Sequence, residues 1–154
     1  MALQGASALV VGCGGVGSAI AASLAASGVV RVALFDRDAS AEEALAGRLR
    51  AHYPAVAVSP GSNDPAGFDL LVNAPAVGMN PGDPLPLDPE RLTPHMLVGE
   101  VVMANEVTAF LAAAQARGCR VQGGTDLLVE MIPPYLEIFG SDDERPSVGA
   151  IARL

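Results

Sequence analysis

The amino-acid sequence predicts a three-layer α/β/α domain, in which helices cover both faces of a doubly wound, mainly parallel sheet. Short apolar runs alternate with helix-like segments, and a glycine-rich loop stands between the first run and the first helix. With 154 residues, of which 51% are hydrophobic and 17% charged, the chain has the size of one domain and can bury a core. We expect one domain over residues 1–140 and a partly ordered tail over 141–154.

The first half of the chain predicts two strand–helix units. The predicted strands cover residues 8–11 and 31–35, and the predicted helices cover 15–27 and 41–53. Both strands are short apolar runs with β-branched residues, as in sheets buried on both faces. Gly28 is placed to end the first helix, Ser40 is placed to cap the second, and Pro54 ends that second helix.

The second half predicts four further strands and two further helices. The strands are expected at residues 55–59, 70–73, 96–103 and 119–122, and the helices at 108–117 and about 126–139. The proline-rich connection from 81 to 94 leaves room for at most one helical turn, and Pro133 and Pro134 should kink the last helix. Strands that alternate with helices in this way open a crevice at their carboxyl ends, where a ligand is expected.

Charge and cysteine usage exclude several classes of function. A net charge of −8 without a basic patch argues against nucleic acid and anionic membranes as partners. All nine basic residues are arginine, so these residues offer neither a Schiff-base lysine nor a Walker lysine. Cys13 and Cys119 lack metal-ligand spacing, which predicts small core residues, no metal site and a cytoplasmic location. The uncharged first 30 residues contain too much glycine and serine for a membrane span or a signal peptide.

The remaining ionisable residues do not predict a catalytic group. His52 lies at a helix end and His95 follows a proline, so both are expected at surface or cap positions. Glu42 and Glu43 are predicted to be solvated charges at the start of a helix.

Residues 12–17 have the pattern G-x-G-x-x-G, between a buried strand and a helix. Gly12 permits the tight turn, Gly14 lets the backbone approach a pyrophosphate, and Gly17 lets helix and strand pack closely. Gly15 and Val16 begin the helix, whose N-terminus favours an anion. The pattern and its context predict a dinucleotide site on a Rossmann-like fold, and a glycine-rich turn without a ligand is the alternative.

Asp36 ends the second strand about 20 residues after the glycine loop, where a carboxylate can accept hydrogen bonds from an adenosine ribose. The same carboxylate would repel a 2′-phosphate. Arg37 could recruit that phosphate or stack on adenine, but it stands between Asp36 and Asp38. The charges therefore favour NAD over NADP, and a solvated turn is the alternative.

Residues 10–18 and 32–38 resemble the ATP-binding start of the ThiF/E1-like adenylyltransferases. The likeness covers the first quarter of the chain. That family continues with an asparagine- and arginine-containing stretch, whereas residues 39–43 here read ASAEE, and it usually carries zinc cysteines and a lysine. The resemblance implies an ATP-binding adenylyltransferase as an alternative function.

A second resemblance covers nearly the whole chain. Residues 68–79, FDLLVNAPAVGM, are similar to the F-D-x-x-x-N-A-T-x-x-G-M segment of shikimate and quinate dehydrogenases. Residues 108–118 resemble the T-x-x-L helix of that family, which ends in A-x-x-x-G. Residues 124–130 resemble its G-x-x-M-L-V-x-Q run, and 136–140 match its aromatic end. The resemblance implies the C-terminal, dinucleotide-binding half of such a dehydrogenase.

The resemblance also implies cofactor contacts. Residues 12–17 would hold the pyrophosphate, and residues 36–38 would replace the family's N-R-T adenosine clamp, which favours NADP; this departure again favours NAD. The other implied contacts are to the cofactor ribose from Asn73, Ala74 and Pro75 and to the nicotinamide from the backbone of Val101 and Gly124. Pro75 stands where the family has a threonine, so that hydroxyl is lost.

On the substrate side, the resemblance places Glu100 and Met103 at the family's D-x-x-Y pair and Met131 at its substrate-touching glutamine. Thioethers in place of hydrogen-bonding groups should change or relax the substrate, and core packing is the other interpretation of both methionines. The family's catalytic lysine and aspartate belong to an N-terminal substrate domain that these residues do not include. A small polyol or keto acid would therefore bind only together with such a domain.

The main hypothesis is a nicotinamide-dinucleotide-binding domain that binds cofactor without turnover by itself. In the full enzyme, hydride would move between the nicotinamide and a ring alcohol or ketone. A non-catalytic NAD-sensing module and the ATP-binding adenylyltransferase are the alternatives. A homo-oligomer is one way to cover the apolar side chains of Ile132, Tyr135, Ile138 and Ile151.

Overall fold

The computed structural model describes residues 3–74, 82–101 and 107–124. They form a six-stranded sheet in the order β3-β2-β1-β4-β5-β6, in which every pair of neighbours is parallel. The strands are β1 (Ser7–Val11), β2 (Arg31–Phe35), β3 (Ala57–Pro60), β4 (Leu70–Asn73), β5 (Leu97–Glu100) and β6 (Arg120–Gln122). The helices are α1 (Gly15–Ala26), α2 (Ala39–His52) and α3 (Ala109–Ala116), with a short 3-10 turn at Pro89–Arg91. The predicted doubly wound sheet is confirmed.

The two faces of the sheet carry separate apolar clusters, as the three-layer prediction requires. Along β1, Ala8 and Val10 belong to the cluster formed with α1 and α2, whereas Leu9 and Val11 belong to the cluster that includes α3. Successive side chains of a strand point to opposite faces, so the unbroken apolar run of β1 serves both layers.

The strand order places a switch point between β1 and β4. The chain runs from β1 outward through β2 and β3, and then returns to the other side of β1 with β4. Val11 lies opposite both Phe35 of β2 and Asn73 of β4. The residues that follow these three strand ends therefore meet at one edge of the sheet, where doubly wound proteins bind their ligands.

Most predicted element bounds agree with the structure within two residues, but the cap of α2 was wrongly assigned to Ser40. The helix begins at Ala39, and Asp38 caps it by accepting hydrogen bonds from the amides of Ser40 and Ala41. Asp38 also accepts from the Ser40 hydroxyl at 2.6 Å. The carboxylate takes the cap position because one of its oxygens, Oδ1, accepts from both amides of the first turn.

Strand β5 ends at Glu100, three residues before the predicted end. Its neighbour β4 ends at Asn73, which is the register partner of Glu100, so this pair is the last one of the ladder between the two strands. Gly28, with a φ of +89°, ends α1 as predicted. The predicted helix at 126–139, the predicted tail and the residues Pro75, Met103, Met131, Ile132, Tyr135, Ile138 and Ile151 lie outside the described residues.

Candidate functional site

A cleft of about 440 Å³ opens at the carboxyl ends of β1, β2 and β4. Its lining residues are Val11, Gly12, Gly14, Gly15, Val16, Phe35, Asp36, Arg37, Ala74, Leu85 and Pro86. Seven of these were predicted from the sequence, namely Gly12, Gly14, Gly15, Val16, Asp36, Arg37 and Ala74. The structure therefore brings together in one cavity most of the residues predicted to contact pyrophosphate and adenosine.

The glycine loop leaves its backbone open to the cleft. Gly12 has a φ of +100°, a conformation that residues with a side chain rarely adopt, and its amide donates to the Phe35 carbonyl at 2.7 Å. A Cβ built on Gly14 or Gly15 would meet no atom within 4 Å. No side chain caps α1 at Gly14, so the first amide groups of this helix can serve an anionic ligand.

Gly17 has a different role, because it lies in the contact between α1 and the loop and does not line the cleft. A Cβ at this position would fall 1.9 Å from the carbonyl oxygen of Gly12 and 3.4 Å from the Cβ of Ala74. The predicted close packing of helix and strand at Gly17 agrees with this geometry.

Asp36 is held by the backbone of two neighbouring segments. One carboxylate oxygen accepts from the amide of Cys13 at 2.6 Å, and the other accepts from the amide of Asp38 at 2.9 Å. Each carboxylate oxygen has a second lone pair, so the half-buried group keeps acceptor capacity toward the cleft. The link from Asp36 to the glycine loop was not predicted; the spacing of about 20 residues indicated only a ribose contact.

The neighbours of Asp36 differ in their availability. Asp38 is engaged as the cap of α2, and the Ser40 hydroxyl together with the amides of Ser40 and Ala41 lowers the pKa of its carboxyl. Arg37 is exposed, and its guanidinium makes no hydrogen bond or ion pair within residues 3–74, 82–101 and 107–124. Of the three residues 36–38, Asp36 and Arg37 line the cleft.

Glu42 is buried, which corrects the prediction of a solvated charge. Only 6% of the residue is exposed, and its carboxylate accepts from the Asp36 amide at 2.9 Å. The side chain turns inward because the first turn of α2 packs over the end of β2, where that amide needs an acceptor. Glu43, in contrast, is exposed and pairs with Arg50 at 3.1 Å, as predicted for a surface charge.

Cys13 is a buried thiol behind the glycine loop. Burial, followed by the carboxylates of Asp36 and Glu42, raises its pKa to about 11. The side chain is therefore a neutral thiol near pH 7, and Cys13 is linked to the site through its backbone amide, which donates to Asp36. Burial also raises the pKa of Cys119, and both cysteines are small core residues as predicted.

Asn73 does not line the cleft, although the resemblance placed it at the cofactor ribose. The side chain is fully buried, and its amide nitrogen donates to Glu100 at 2.5 Å. The other carboxylate oxygen of Glu100 accepts from the hydroxyl of Thr108, which caps α3 by accepting from the Leu111 amide at 3.2 Å. This buried cluster joins β4, β5 and α3 beneath the carboxyl edge of the sheet.

The two backbone positions implied for the nicotinamide lie outside the cleft lining. The Val101 amide donates to the Asn73 carbonyl at 3.1 Å, and Val101 is half-buried. Gly124 is buried just beyond β6. Pro75, Met103 and Met131 lie outside the described residues, so their implied roles stay predictions.

Leu85 and Pro86 form a cleft wall that was not predicted from the sequence. The Asn63 side chain donates to the Pro86 carbonyl at 3.1 Å, and Asp64 forms a bidentate ion pair with Arg91, with both N–O distances 2.7 Å. These bonds tie the loop after β3 to the proline-rich connection after β4. The only signal in the sequence was that both loops follow the carboxyl ends of strands.

Two further properties concern only the described part of the chain. There, no group of three or more histidine, cysteine or acidic side chains is arranged to hold a metal ion. None of the helices described has the length and apolar character needed to cross a bilayer.

Comparison with known proteins gives one short and several long similarities. Residues 1–46, which contain β1, α1 and β2, match the ThiF family. The shikimate dehydrogenase (NADP(+)) of Paracoccus denitrificans is 35% identical over 142 residues, covering 92% of this chain and 49% of that protein.

Two solved structures extend over almost the whole chain. Quinate dehydrogenase from Corynebacterium glutamicum, in complex with NAD, is 30% identical with a TM-score of 0.79 and covers 96% of this chain and 53% of its own. The ligand-free 5-ketofructose reductase of Gluconobacter sp. strain CHM43 is 26% identical with a TM-score of 0.86, and the match covers 99% and 56% of the two chains.

The parallel sheet, its switch point and the glycine loop define a Rossmann-type nucleotide-binding domain. The long similarities also identify the family of this domain. The chain belongs to the shikimate/quinate dehydrogenase family, and it matches the C-terminal, NAD(P)-binding domain of those proteins. It spans about half the length of the relatives it matches.

Proposed function

We propose that this chain binds a nicotinamide dinucleotide in the cleft at the carboxyl ends of β1, β2 and β4. The observation that carries the proposal is the position of the Asp36 carboxylate, bound to the Cys13 amide at 2.6 Å beside the uncapped start of α1. A helix N-terminus favours a pyrophosphate, and a carboxylate at the end of β2 favours a ribose diol. Relatives named for NADP or solved with NAD support the proposal.

The glycine loop would hold the pyrophosphate. Gly14, Gly15 and Val16 line the cleft. A Cβ added to either glycine would have no neighbouring atom within 4 Å. Phosphate oxygens can therefore approach the backbone closely, where the first amides of α1 and the helix dipole stabilise negative charge. This local field matters in a chain with a net charge of −8.

We propose that the cofactor is NAD in preference to NADP. The spare lone pairs of Asp36 can accept from the two hydroxyl groups of an adenosine ribose. A 2′-phosphate would be repelled by this carboxylate, because two hydrogen bonds from backbone amides hold the carboxylate in place. Arg37 lines the same cleft and favours the opposite choice, but it is exposed and would lose side-chain entropy on binding a phosphate.

The bound nicotinamide supplies hydride transfer, and the residues of this chain bind and orient it. We propose that the full enzyme reduces or oxidises a ring alcohol or ketone with catalytic groups from outside these 154 residues. Two facts support this: the sequence contains no lysine, and it spans about half the length of its relatives. The chain alone would bind cofactor without turnover, and a small polyol or keto acid would bind only together with the remaining part.

Calorimetric titration of the purified chain with NADH, NADPH and ATP–magnesium tests the proposal, since the sequence has no tryptophan to report binding by fluorescence. We expect the tightest binding with NADH. Tightest binding of NADPH would overturn the NAD preference and leave the nicotinamide site standing. Preference for ATP would favour the adenylyltransferase alternative, which the ThiF match over residues 1–46 supports. Binding of none of the three would overturn the proposal for this chain.

A separate assay of the chain combined with the lysine-bearing substrate domain of a relative tests the catalytic part. Nicotinamide reduction is followed with NAD and shikimate or quinate, and the 154-residue chain is the control. Turnover by the combined protein alone is the expected result. Cofactor binding without turnover of any ring alcohol by either protein would instead indicate a non-catalytic NAD-sensing module.

A further inference from the structure

We propose that Glu42, which lies behind Asp36 and outside the cleft lining, is a positioning residue that sets the preference for NAD over NADP. The inference rests on the proposed function, because it concerns how the same cleft distinguishes two forms of one cofactor. Its starting point is an unexpected burial: Glu42 is 6% exposed and accepts from the Asp36 amide at 2.9 Å.

Glu42 closes a ring of hydrogen bonds around the end of β2. Its own amide donates to the Asp38 carbonyl at 3.2 Å, and the Asp38 amide donates to the Asp36 carboxylate at 2.9 Å. The second Asp36 oxygen accepts from Cys13 in the glycine loop at 2.6 Å. All of these bonds lie within the chain, so the protein's own contacts orient the ribose acceptor, which lowers the entropic cost of binding.

Glu42 also adds a second negative charge behind the first. Neither Asp36 nor Glu42 forms an ion pair with an arginine in the part of the chain that the structure describes. Partial burial weakens the screening of such charges. Both carboxylates lie close to the glycine loop, since Asp36 accepts from the Cys13 amide and Glu42 accepts from the Asp36 amide; after burial, which is the larger cause, they also raise the pKa of the Cys13 thiol. A 2′-phosphate at Asp36 would therefore meet the charge of Glu42 as well, whereas a ribose hydroxyl would not be repelled.

The position in the first turn of α2 explains why Glu42 can have both effects. Asp38 caps this helix through the amides of Ser40 and Ala41, which fixes the direction of the first turn relative to β2. Glu43, one residue later, points to solvent and pairs with Arg50. The chain thus offers two adjacent glutamates of equal charge, one inside the ring and one outside it.

The test compares Glu42→Gln with the matched control Glu43→Gln. Each variant removes one negative charge from the same helical turn, but a glutamine in place of Glu42 keeps a carbonyl oxygen that can accept from the Asp36 amide. NADH and NADPH affinities are measured by calorimetry for both variants and for the wild type. We expect Glu42→Gln to shift the ratio of the two affinities about tenfold toward NADPH, the size of one unit-charge interaction in a partly hydrated site. Glu43→Gln should leave the ratio within about threefold, as for an exposed charge.

A second variant measures positioning without any cofactor. Glu42→Ala removes the acceptor, so amide hydrogen exchange at Asp36 and Cys13 should become faster than in Glu43→Ala. Circular dichroism of each variant identifies any that fails to fold, and the conservative Glu42→Gln then decides the outcome alone.

The outcomes separate this inference from the proposed function. Wild type that prefers NADH, together with an unchanged ratio in Glu42→Gln, overturns the inference alone. An equal shift in both glutamine variants also overturns it, because charge anywhere on the turn would then suffice. Wild type that binds neither dinucleotide overturns the proposed function and the specificity role with it.

Discussion

The carboxylate of Asp36 accepts a hydrogen bond from the backbone amide of Cys13 at 2.6 Å, which joins the end of β2 to the glycine loop after β1. The two segments are 23 residues apart in sequence. One side chain therefore has two tasks: it shapes the loop that would hold the pyrophosphate, and it presents acceptors to the cleft where a ribose would lie.

Replacing Asp36 by asparagine should affect both tasks. The asparagine side chain has one carbonyl oxygen, so one of the two amides now bound by Asp36 would face an NH₂ group and lose its acceptor. We expect unfolding free energy to fall by about 1 kcal/mol and NADH affinity to fall at least about tenfold. Urea denaturation and calorimetry measure the two effects.

Asp69→Asn is the matched control for that prediction. Asp69 accepts from the Ser7 amide and hydroxyl, both at 2.8 Å, at the opposite edge of the sheet. The Asp69→Asn variant should be less stable than the wild type and should bind NADH with wild-type affinity. Wild-type affinity in Asp36→Asn would contradict the assignment of Asp36 to the ribose.

Gly17→Ala should disrupt the cleft through packing alone. The added methyl group would fall 1.9 Å from the Gly12 carbonyl oxygen, so α1 must shift away from the loop. We expect a loss of about 2 kcal/mol in unfolding free energy, as for an overpacked core, and loss of measurable NADH binding. Gly47→Ala is the control: a Cβ there would meet no atom within 4 Å, and alanine should stabilise α2 by about 0.5 kcal/mol. Equal effects of the two substitutions would contradict this account.

The buried cluster beneath the sheet edge should contribute strongly to stability. Thr108→Val keeps the shape of the side chain but removes the hydroxyl that donates to Glu100 and caps α3 through Leu111. The loss of the helix cap and of one hydrogen-bond donor to the buried Glu100 carboxylate should together lower the unfolding free energy by about 2 kcal/mol. In urea denaturation, the urea concentration at the midpoint should fall, while the slope of unfolding free energy against urea concentration stays the same.

Thr93→Val is the surface comparison for that variant. The Thr93 hydroxyl lies 2.9 Å from the ring of His95 in an exposed position, so its removal should change unfolding free energy by less than about 0.5 kcal/mol. A cost at Thr93 as large as that at Thr108 would show that burial of the cluster is not the cause.

Acid should destabilise the fold in part through Asp69. The Ser7 amide, followed by the Ser7 hydroxyl, holds the pKa of the Asp69 carboxyl below its ordinary value of 3.8. The folded state therefore binds fewer protons than the unfolded state in this range, so the stabilisation is present above pH 3.8 and is lost as pH falls through the lower, folded pKa. Thermal unfolding between about pH 2 and pH 6 should show a smaller acid decline in Asp69→Asn than in wild type. Parallel curves for the two proteins would rule out Asp69 as a source of the decline.

Much of the architecture was predictable because its signals are local. The order of elements followed from the apolar run of β1, the glycine that ends α1 and the spacing of strands and helices. The same signals predicted the edge of the sheet at which the cleft opens. Gly12, Gly14 and Asp36 were identified for the same reason: backbone conformation and the end of a strand are visible in short stretches of sequence.

The roles of individual carboxylates were less predictable. Ser40 and Asp38 are both good cap residues, and only the path of the chain from β2 into α2 decides between them. Glu42 reads as surface charge next to Glu43, yet one lies under the end of β2 and the other faces solvent. That difference depends on which side of α2 packs on the sheet.

Short-range pattern thus sufficed for the fold class, the glycine loop and the acidic end of β2, since each depends on residues close together in the chain. Packing between distant segments decided the rest: the bond from Asp36 to Cys13, the burial of Glu42, the cluster of Asn73, Glu100 and Thr108, and the wall formed by Leu85 and Pro86. These contacts depend on where the sheet brings separate strand ends together, and a hydrogen bond between residues far apart in the chain leaves no periodic signal in the sequence.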